Sequence, residues 1–472
     1  MIKAKRGISY KWVVMSVIAM GTYLGTSDQG AVSITLPHLG HVFQEGADAL
    51  VWIMLGPMLI GTGLLLAMGQ ASDAFGRKRL FTLSVAVLSL GMGLCALAQN
   101  LVQLVLFRLI QWVGVAMNMS MAYAIITDSF PHEERGRALG LFNAVEGVGL
   151  ISGPVLGGFL LDLLGWRSVF YIRLPIGIIG TIMAWALLRE PVSSKQAGKF
   201  DLLGAVTLFL TLTLLLLAVN RGQSLGWLSP WIVGLFIIGA LLLFFFVVVE
   251  QRAVQPVLDL GLFRNRLFSF ASASQILLPV SAAAVGLLMP FYLIQGLGFS
   301  TSKAGLLLLT THAVSLVLAP LSGRLSDRLG TLFLCTSGVT LVAVALFLLG
   351  NLGADPSVGR LVLCLIILGM GTGLFMAPNT SAIMGAVPKE RLGTASGMVG
   401  MLRMVGTSIG LTIAGSVFTA SQLLHATQLA SQGLLEEVVQ KLSTVSGFHD
   451  AIFVSLTITA LGFVTVVLRG RR

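Results

Sequence analysis

Apolar runs of about 20 residues recur along the chain, each long enough to cross a hydrocarbon core of roughly 30 Å. They place helices at approximately 12–36, 49–69, 80–98, 101–124, 137–160, 169–188, 202–219, 231–249, 268–293, 303–321, 331–350, 361–385, 394–420 and 450–468. The composition agrees: 56% of the residues are hydrophobic and 10% charged, against about 25% charged in soluble domains. The expected fold class is an all-α integral membrane protein. Lys3, Lys5, Arg6 and Lys11 precede the first run, which resembles a signal peptide in outline. A run that continues to Leu36 and contains Asp28 exceeds the h-region of about 7–15 residues, so it reads as a retained first transmembrane helix.

The 30 basic residues against 19 acidic ones would suggest nucleic acid in a soluble chain. Their positions give another reading. With a cytoplasmic N-terminus, 22 Lys/Arg fall on the cytoplasmic side, including the Arg77–Arg79 cluster. Six fall opposite (Arg167, Arg173, Arg221, Lys303, Arg360 and Lys441), and Arg108 and Arg403 lie within spans. That bias is the positive-inside pattern, with both termini cytoplasmic in a plasma or inner membrane. The positive charge is therefore topology, and no nucleic-acid partner is expected. Cys95, Cys335 and Cys364 sit in apolar runs without metal-like spacing, as small hydrophobes rather than disulfide or zinc ligands.

Only two acids, Asp28 and Glu146, lie inside the spans. Such groups are costly in hydrocarbon and must face a cavity or a partner, which makes them functional candidates for proton coupling or substrate contact. Asp28 lies eight residues from the outer end of helix one, about 12 Å. Arg108 lies seven from the outer end of helix four, roughly 10 Å. The matching depths allow a pair in which Arg108 tunes proton or cation binding at Asp28, or a fixed ion pair that only holds the fold. Glu146, about 14 Å from the inner end of helix five, is either a second proton carrier or a packing acid. It stands on a ridge made by Gly149, Gly153 and Gly157, the small-xxx-small spacing that lets membrane helices close tightly. Pro154 within that ridge permits a bend. Gly69 and Gly76 flank Asp73 and Arg77, a group that suits a conformational latch because a carboxylate can cap a helix N-terminus in one state only. Secondary candidates are Gln111, Arg403 and His312, the last being more often a packing residue. The Ala420–Asp450 stretch, with Glu436, Glu437 and Lys441, reads as an amphipathic helix outside the membrane.

An internal repeat is visible. Gly69, Asp73 and Gly76 recur 254 residues later as Gly323, Asp327 and Gly330, with Arg328 beside them. Gly149 and Gly153 recur 257 residues later as Gly406 and Gly410, and that alignment sets Glu146 against Arg403. Two six-helix halves with two extra helices between them account for these offsets. The expected division is 1–188 for the first half, 189–267 for the extra helices and linkers, and 268–472 for the second half.

These motifs resemble a known family. Gly69–Arg79 is similar to the signature between helices two and three of the major facilitator superfamily, and Arg108-Leu-Ile-Gln111 resembles its helix-four arginine motif. Gly153-Pro154-Val-Leu-Gly157-Gly158 looks like the helix-five antiporter motif. Asp28, nine residues before Pro37, matches the helix-one acid of the fourteen-helix drug–proton antiporters of EmrB/QacA type. Further matches are Trp166-Arg167, Phe170 and Pro175, Asp201 with Gly204, and Glu250 with Pro256. The chain departs from the pattern at Arg173, Trp112 and Pro57, where the family usually has Asn, Gly and Tyr; these departures bear on substrate range.

The resemblance implies a proton-driven exporter of amphipathic, often cationic, small molecules that works by alternating access between parallel halves. It needs no cofactor beyond the proton gradient, and its partners are protons, the small-molecule substrate and the lipid bilayer. The chain is expected to act as a monomer, with a periplasmic adaptor left open. Two alternatives stand beside this: export of one dedicated lipid-like or metabolite solute, and a non-transporting membrane sensor. An intramembrane enzyme is disfavoured because the spans hold no HExxH, facing Asp pair or Ser–His set, and no GxxxxGK[ST] loop supports ATP drive.

Overall fold

The computed structural model describes residues 10–44, 52–189, 201–253, 260–299, 301–388, 391–432 and 434–470, together with Leu50, Pro256 and Leu258. Among them, the long helices are α1 (Tyr10–Phe43), α2 (Trp52–Phe75), α3 (Arg77–Ala96), α4 (Leu101–Ser129) and α5 (Arg135–Leu164). Then come α6 (Leu174–Leu187, preceded by the single turn Ser168–Tyr171), α7 (Leu202–Leu225) and α8 (Pro230–Arg252). The remainder are α9 (Arg266–Phe291), α10 (Thr301–Leu329), α11 (Thr331–Gly350), α12 (Val358–Gly385), α13 (Leu392–Ala430) and α14 (Glu436–Leu468). Thirteen helices of the described residues are long and apolar enough to cross a membrane. The first of these is α2. At 34 residues, α1 has the length as well, about 50 Å, but Ser27, Asp28 and Gln29 interrupt its apolar character. The chain is a multi-pass membrane protein, and large side chains such as Trp185, Trp231 and Phe244, 70%, 82% and 70% exposed, suit lipid rather than water.

Local chemistry explains several boundaries. The Asn100 side chain accepts from the Gln103 amide at 2.9 Å and starts α4, an ordinary N-cap that satisfies one of the free first-turn donors. Gly76, between α2 and α3, has φ 100°, and Gly330, between α10 and α11, has φ 83°. Both are left-handed conformations that glycine adopts without a Cβ penalty. The repeat seen in sequence is thus a repeated helix–Gly–helix joint. The segment expected to be a loop from Gly69 is helical as far as Phe75, and only Gly76 breaks it. A separate amphipathic helix over Ala420–Asp450 is not formed: α13 runs on to Ala430 and α14 begins at Glu436. The polar residues there extend two membrane helices beyond their apolar stretches.

The chain divides into two compact units. The first comprises Met1–Thr213, Gly239–Leu260 and Met384–Met401; the second comprises Leu214–Ile238, Gly261–Ile383 and Leu402–Arg472. In the first, α1 packs along α5, α3 along α4 and α6, and α2 along α4. One apolar cluster there joins Val32, Leu39, Ile53, Cys95, Leu104, Trp166 and Phe170. In the second unit α9 and α11 pack on α14. Tyr292 stacks on Phe448 with ring centroids 4.4 Å apart, and the Tyr292 hydroxyl donates to the Gly353 carbonyl at 2.8 Å. Arg469, just past α14, is buried and donates to Asn379 Oδ1 at 3.3 Å and to the Thr331 hydroxyl. Asn379 Nδ2 in turn donates to Gln275 Oε1 at 2.9 Å. This chain of polar contacts ties the last helix to α9, α11 and α12.

Candidate functional site: a buried carboxylate between two arginines

Helix rise places Asp28 and Arg108 at one level, and the packing brings them together. Arg108 Nη1 donates to Asp28 Oδ2, and each residue is 1% exposed. The same Nη1 reaches Gln111 Oε1 at 2.9 Å, while Arg108 Nε points at the Ile53 carbonyl at 3.4 Å. Gln111 Oε1 also accepts a weak bond from the Cys95 thiol at 3.7 Å. Gln111 is held by a tight crossing of α3 and α4, because a Cβ at Gly91 would stand 2.7 Å from the Gln111 nitrogen. Only a bare glycine permits that approach.

Sequence reasoning missed the third member of the cluster. The charge pattern sets Arg173 among the basic residues outside the membrane, yet it is 4% exposed. Its Nη1 lies 3.7 Å from Asp28 Oδ1. It donates to the Val169 carbonyl at 3.0 Å and through Nη2 to the Ser27 carbonyl at 3.2 Å. It sits immediately before α6, where Pro175 opens the helix, a position that reads as a connection. The available signal was its apolar flanks, Tyr171-Ile172 and Leu174-Pro175. The other departures from the family pattern lie nearby. Trp112 is four residues along α4 from Arg108, on the same face. Pro57 is buried one turn beyond Ile53 in α2.

The glycine ridge of α5 closes on the turn of α1 that carries Asp28. A Cβ at Gly149 would stand 3.2 Å from the Ser27 nitrogen, and one at Gly157 would stand 2.8 Å from the Ala31 Cα. At Gly153 it would overlap the Ser27 carbonyl and stand 3.1 Å from the Gly30 Cα. Pro154 packs against Gly30 and Gly158 is half-buried. The second unit repeats the arrangement, with Gly406 and Gly410 of α13 against Ile276 and Val280 of α9. There the residue after Val280 is Ser281, buried and hydrogen-bonded to Thr459 at 2.7 Å. The packing is thus repeated, while this seam carries a carboxylate in the first unit and a neutral hydroxyl in the second. Glu146 is buried at 7% exposure, two turns from Gly153 on α5.

Asp73 meets a helix N-terminus. Its Oδ1 accepts from the Gly393 amide at 3.0 Å and its Oδ2 from the Thr394 amide at 2.9 Å and hydroxyl at 3.2 Å. These groups open α13, where free amides and the helix dipole favour an anion. Arg77 Nη2 donates to Asp73 Oδ1 at 3.0 Å and its Nη1 lies 3.8 Å from Asp128 Oδ2. Gly69 allows the contact, since a Cβ there would overlap the Gly393 carbonyl. In the second unit Asp327 is half-buried and Arg328 exposed at the end of α10, His312 lies on an exposed face of α10, and Arg403 is half-buried in α13.

Many long apolar helices with charged side chains buried between them define a multi-pass membrane protein with a polar cluster in its interior. The chain belongs to the major facilitator superfamily, whose model matches residues 15–411. It is 32% identical over 412 residues to the riboflavin transporter RibZ of Clostridioides difficile, covering 87% of this chain and 89% of that protein. It is 30% identical over 403 residues to the multidrug resistance protein Stp of Mycobacterium tuberculosis, covering 85% and 74%. Among solved structures, the human organic anion transporter MFSD10 (TETRAN) superposes with a TM-score of 0.71 at 16% identity, covering 97% of this chain and 99% of that one. That likeness is one of fold. The family and its relatives make the protein a transporter rather than an enzyme.

Proposed function

We propose that the protein is a proton-coupled secondary exporter of amphipathic small molecules, an antiporter of the fourteen-helix drug–proton type. Two six-helix halves flank α7 and α8 in this reading, both termini are cytoplasmic, and the proton gradient is the only energy source. One observation carries it: the carboxylate of Asp28 is buried in the seam of α1, α4 and α5, bonded to Arg108 and backed by a glycine ridge. Protonation there changes the charge of a desolvated cluster, and a change of that kind shifts the balance between two conformations. The Asp73 clasp on α13 opens and closes with that balance. Multidrug-resistance relatives such as Stp support a broad substrate range. The similarity to RibZ favours a second reading, export of one dedicated solute.

The test is proton movement in reconstituted vesicles carrying an internal pH dye, screened with a panel of amphipathic compounds. Substrate-dependent proton flux in several chemical series supports the broad exporter, and flux with one series supports the dedicated one. Silence across the panel, with sealed and correctly loaded vesicles, rejects the broad exporter.

A further inference from the structure

We propose that Arg173 makes the Asp28 cluster an anion-accepting site, so that the transported molecules carry a negatively charged group. The proposal rests on the transport reading above and names its substrate class. Its basis is charge. Among the described residues, the ion pairs of Arg108 and of Arg173 both end on Asp28. Two guanidiniums, which stay protonated in proteins, therefore face one carboxylate in a volume where all three residues are at most 4% exposed. An unbalanced charge buried in this way is costly, and a monoanion removes the imbalance.

The two arginines are not equivalent. Arg108 is engaged by Asp28, Gln111 and the Ile53 carbonyl. Arg173 is held by two backbone carbonyls, and its contact with Asp28 at 3.7 Å is beyond hydrogen-bonding distance. A guanidinium has five N–H donors, so Arg173 keeps three beyond those two bonds. The polar surroundings point the same way. Gln111 Nε2 and Trp112 Nε1 are buried donors without a hydrogen-bond partner, against a single such acceptor in the cluster, Asp28 Oδ1. The two donors lie three and four residues from Arg108 on one face of α4. Donors in excess of acceptors next to excess positive charge fit a carboxylate, sulfonate or phosphate ester, and planar guanidinium recognition of such groups is strong. A cationic ligand would have to approach Asp28 against both arginines.

The experiment uses two dyes that share a xanthene ring and differ in charge: fluorescein, an anion at neutral pH, and rhodamine 6G, a cation. Equilibrium binding to the purified full-length protein in detergent is read by fluorescence polarisation. Wild type should bind fluorescein at least tenfold more tightly than rhodamine 6G. Arg173→Asn should weaken fluorescein about tenfold or more, the size of a lost bond to a charged group, and should narrow or reverse the preference. Arg173→Lys should retain most of the fluorescein affinity. Should Arg173→Asn fail to fold, the wild-type preference and the lysine variant still decide the matter. Absent fluorescein binding, a preference for rhodamine 6G, or unchanged fluorescein affinity in Arg173→Asn would overturn the proposal. Binding and transport fail separately. A protein that prefers fluorescein yet moves no protons in vesicles keeps the anion site and loses the antiport reading. One that exchanges protons for rhodamine 6G but not fluorescein does the reverse.

Discussion

Replacing Asp28 with Asn keeps the shape of the side chain and removes its charge. In the wild type, Arg108 and Arg173 share that one carboxylate, so the variant leaves two buried guanidiniums without a counter-ion. Breaking a buried ion pair by removing one partner costs about 3–5 kcal/mol. Arg173→Gln is a different perturbation. It leaves the Asp28–Arg108 pair charge-balanced and sacrifices two donations to the Ser27 and Val169 carbonyls, a loss of about 1–3 kcal/mol in all. The double variant leaves one unpaired guanidinium instead of two, so its cost should fall short of the sum by about 1–3 kcal/mol. Thermal unfolding in detergent, followed by tryptophan fluorescence, compares the four proteins: wild type above Arg173→Gln, Arg173→Gln above Asp28→Asn, and the double variant losing less than the two single losses together. Strict additivity, or an Asp28→Asn protein as stable as wild type, would show that the two arginines do not depend on Asp28.

Three other outcomes follow from the geometry. Asp73→Ala removes a carboxylate that caps α13 through two amides and a hydroxyl; the loss of about 0.5–2 kcal/mol should appear as faster hydrogen exchange at Gly393 and Thr394, with reduced transport. Gly153→Val forces a side chain into the Ser27 backbone and should lower the melting temperature and abolish transport, whereas Gly359→Ala, with open space around its Cβ position, should be tolerated in both assays. Arg469→Leu removes the donor to Asn379 and Thr331 and should expose the end of α14 to protease earlier than in wild type.

How far the sequence could be read depended on the kind of signal. Charges inside apolar runs are rare, and a helix rises by a fixed amount per residue, so Asp28 and Arg108 could be set at one depth before any contact was known. The glycine ridge announced a close partner but not which helix; that it seats on Thr26–Ala31 is a tertiary fact. Asp73 looked suited to a helix N-terminus, yet the amides it meets lie 320 and 321 residues away, and no local pattern specifies such a contact. Arg173 is hidden because an arginine two residues before a proline, near one end of an apolar run, reads as lying outside the membrane. Its burial comes from the fold of the turn before α6, which turns it back onto Asp28. The polar ends of α13 and α14 were read as a separate element because hydropathy marks where lipid stops and not where a helix stops.

In the proposed mechanism Asp28 couples proton movement to substrate movement. Proteoliposomes given an inward-directed proton gradient, and loaded with a substrate identified in the panel screen, test it most directly. Two rates are measured on wild type and Asp28→Asn: gradient-driven efflux and gradient-free exchange of labelled for unlabelled substrate. Exchange needs a folded, alternating protein but no net proton transfer, so it controls for the stability cost of the variant. Wild type should show both, and Asp28→Asn should keep exchange while losing acceleration by the gradient. Gradient-driven efflux by Asp28→Asn at the wild-type ratio to exchange would contradict that coupling.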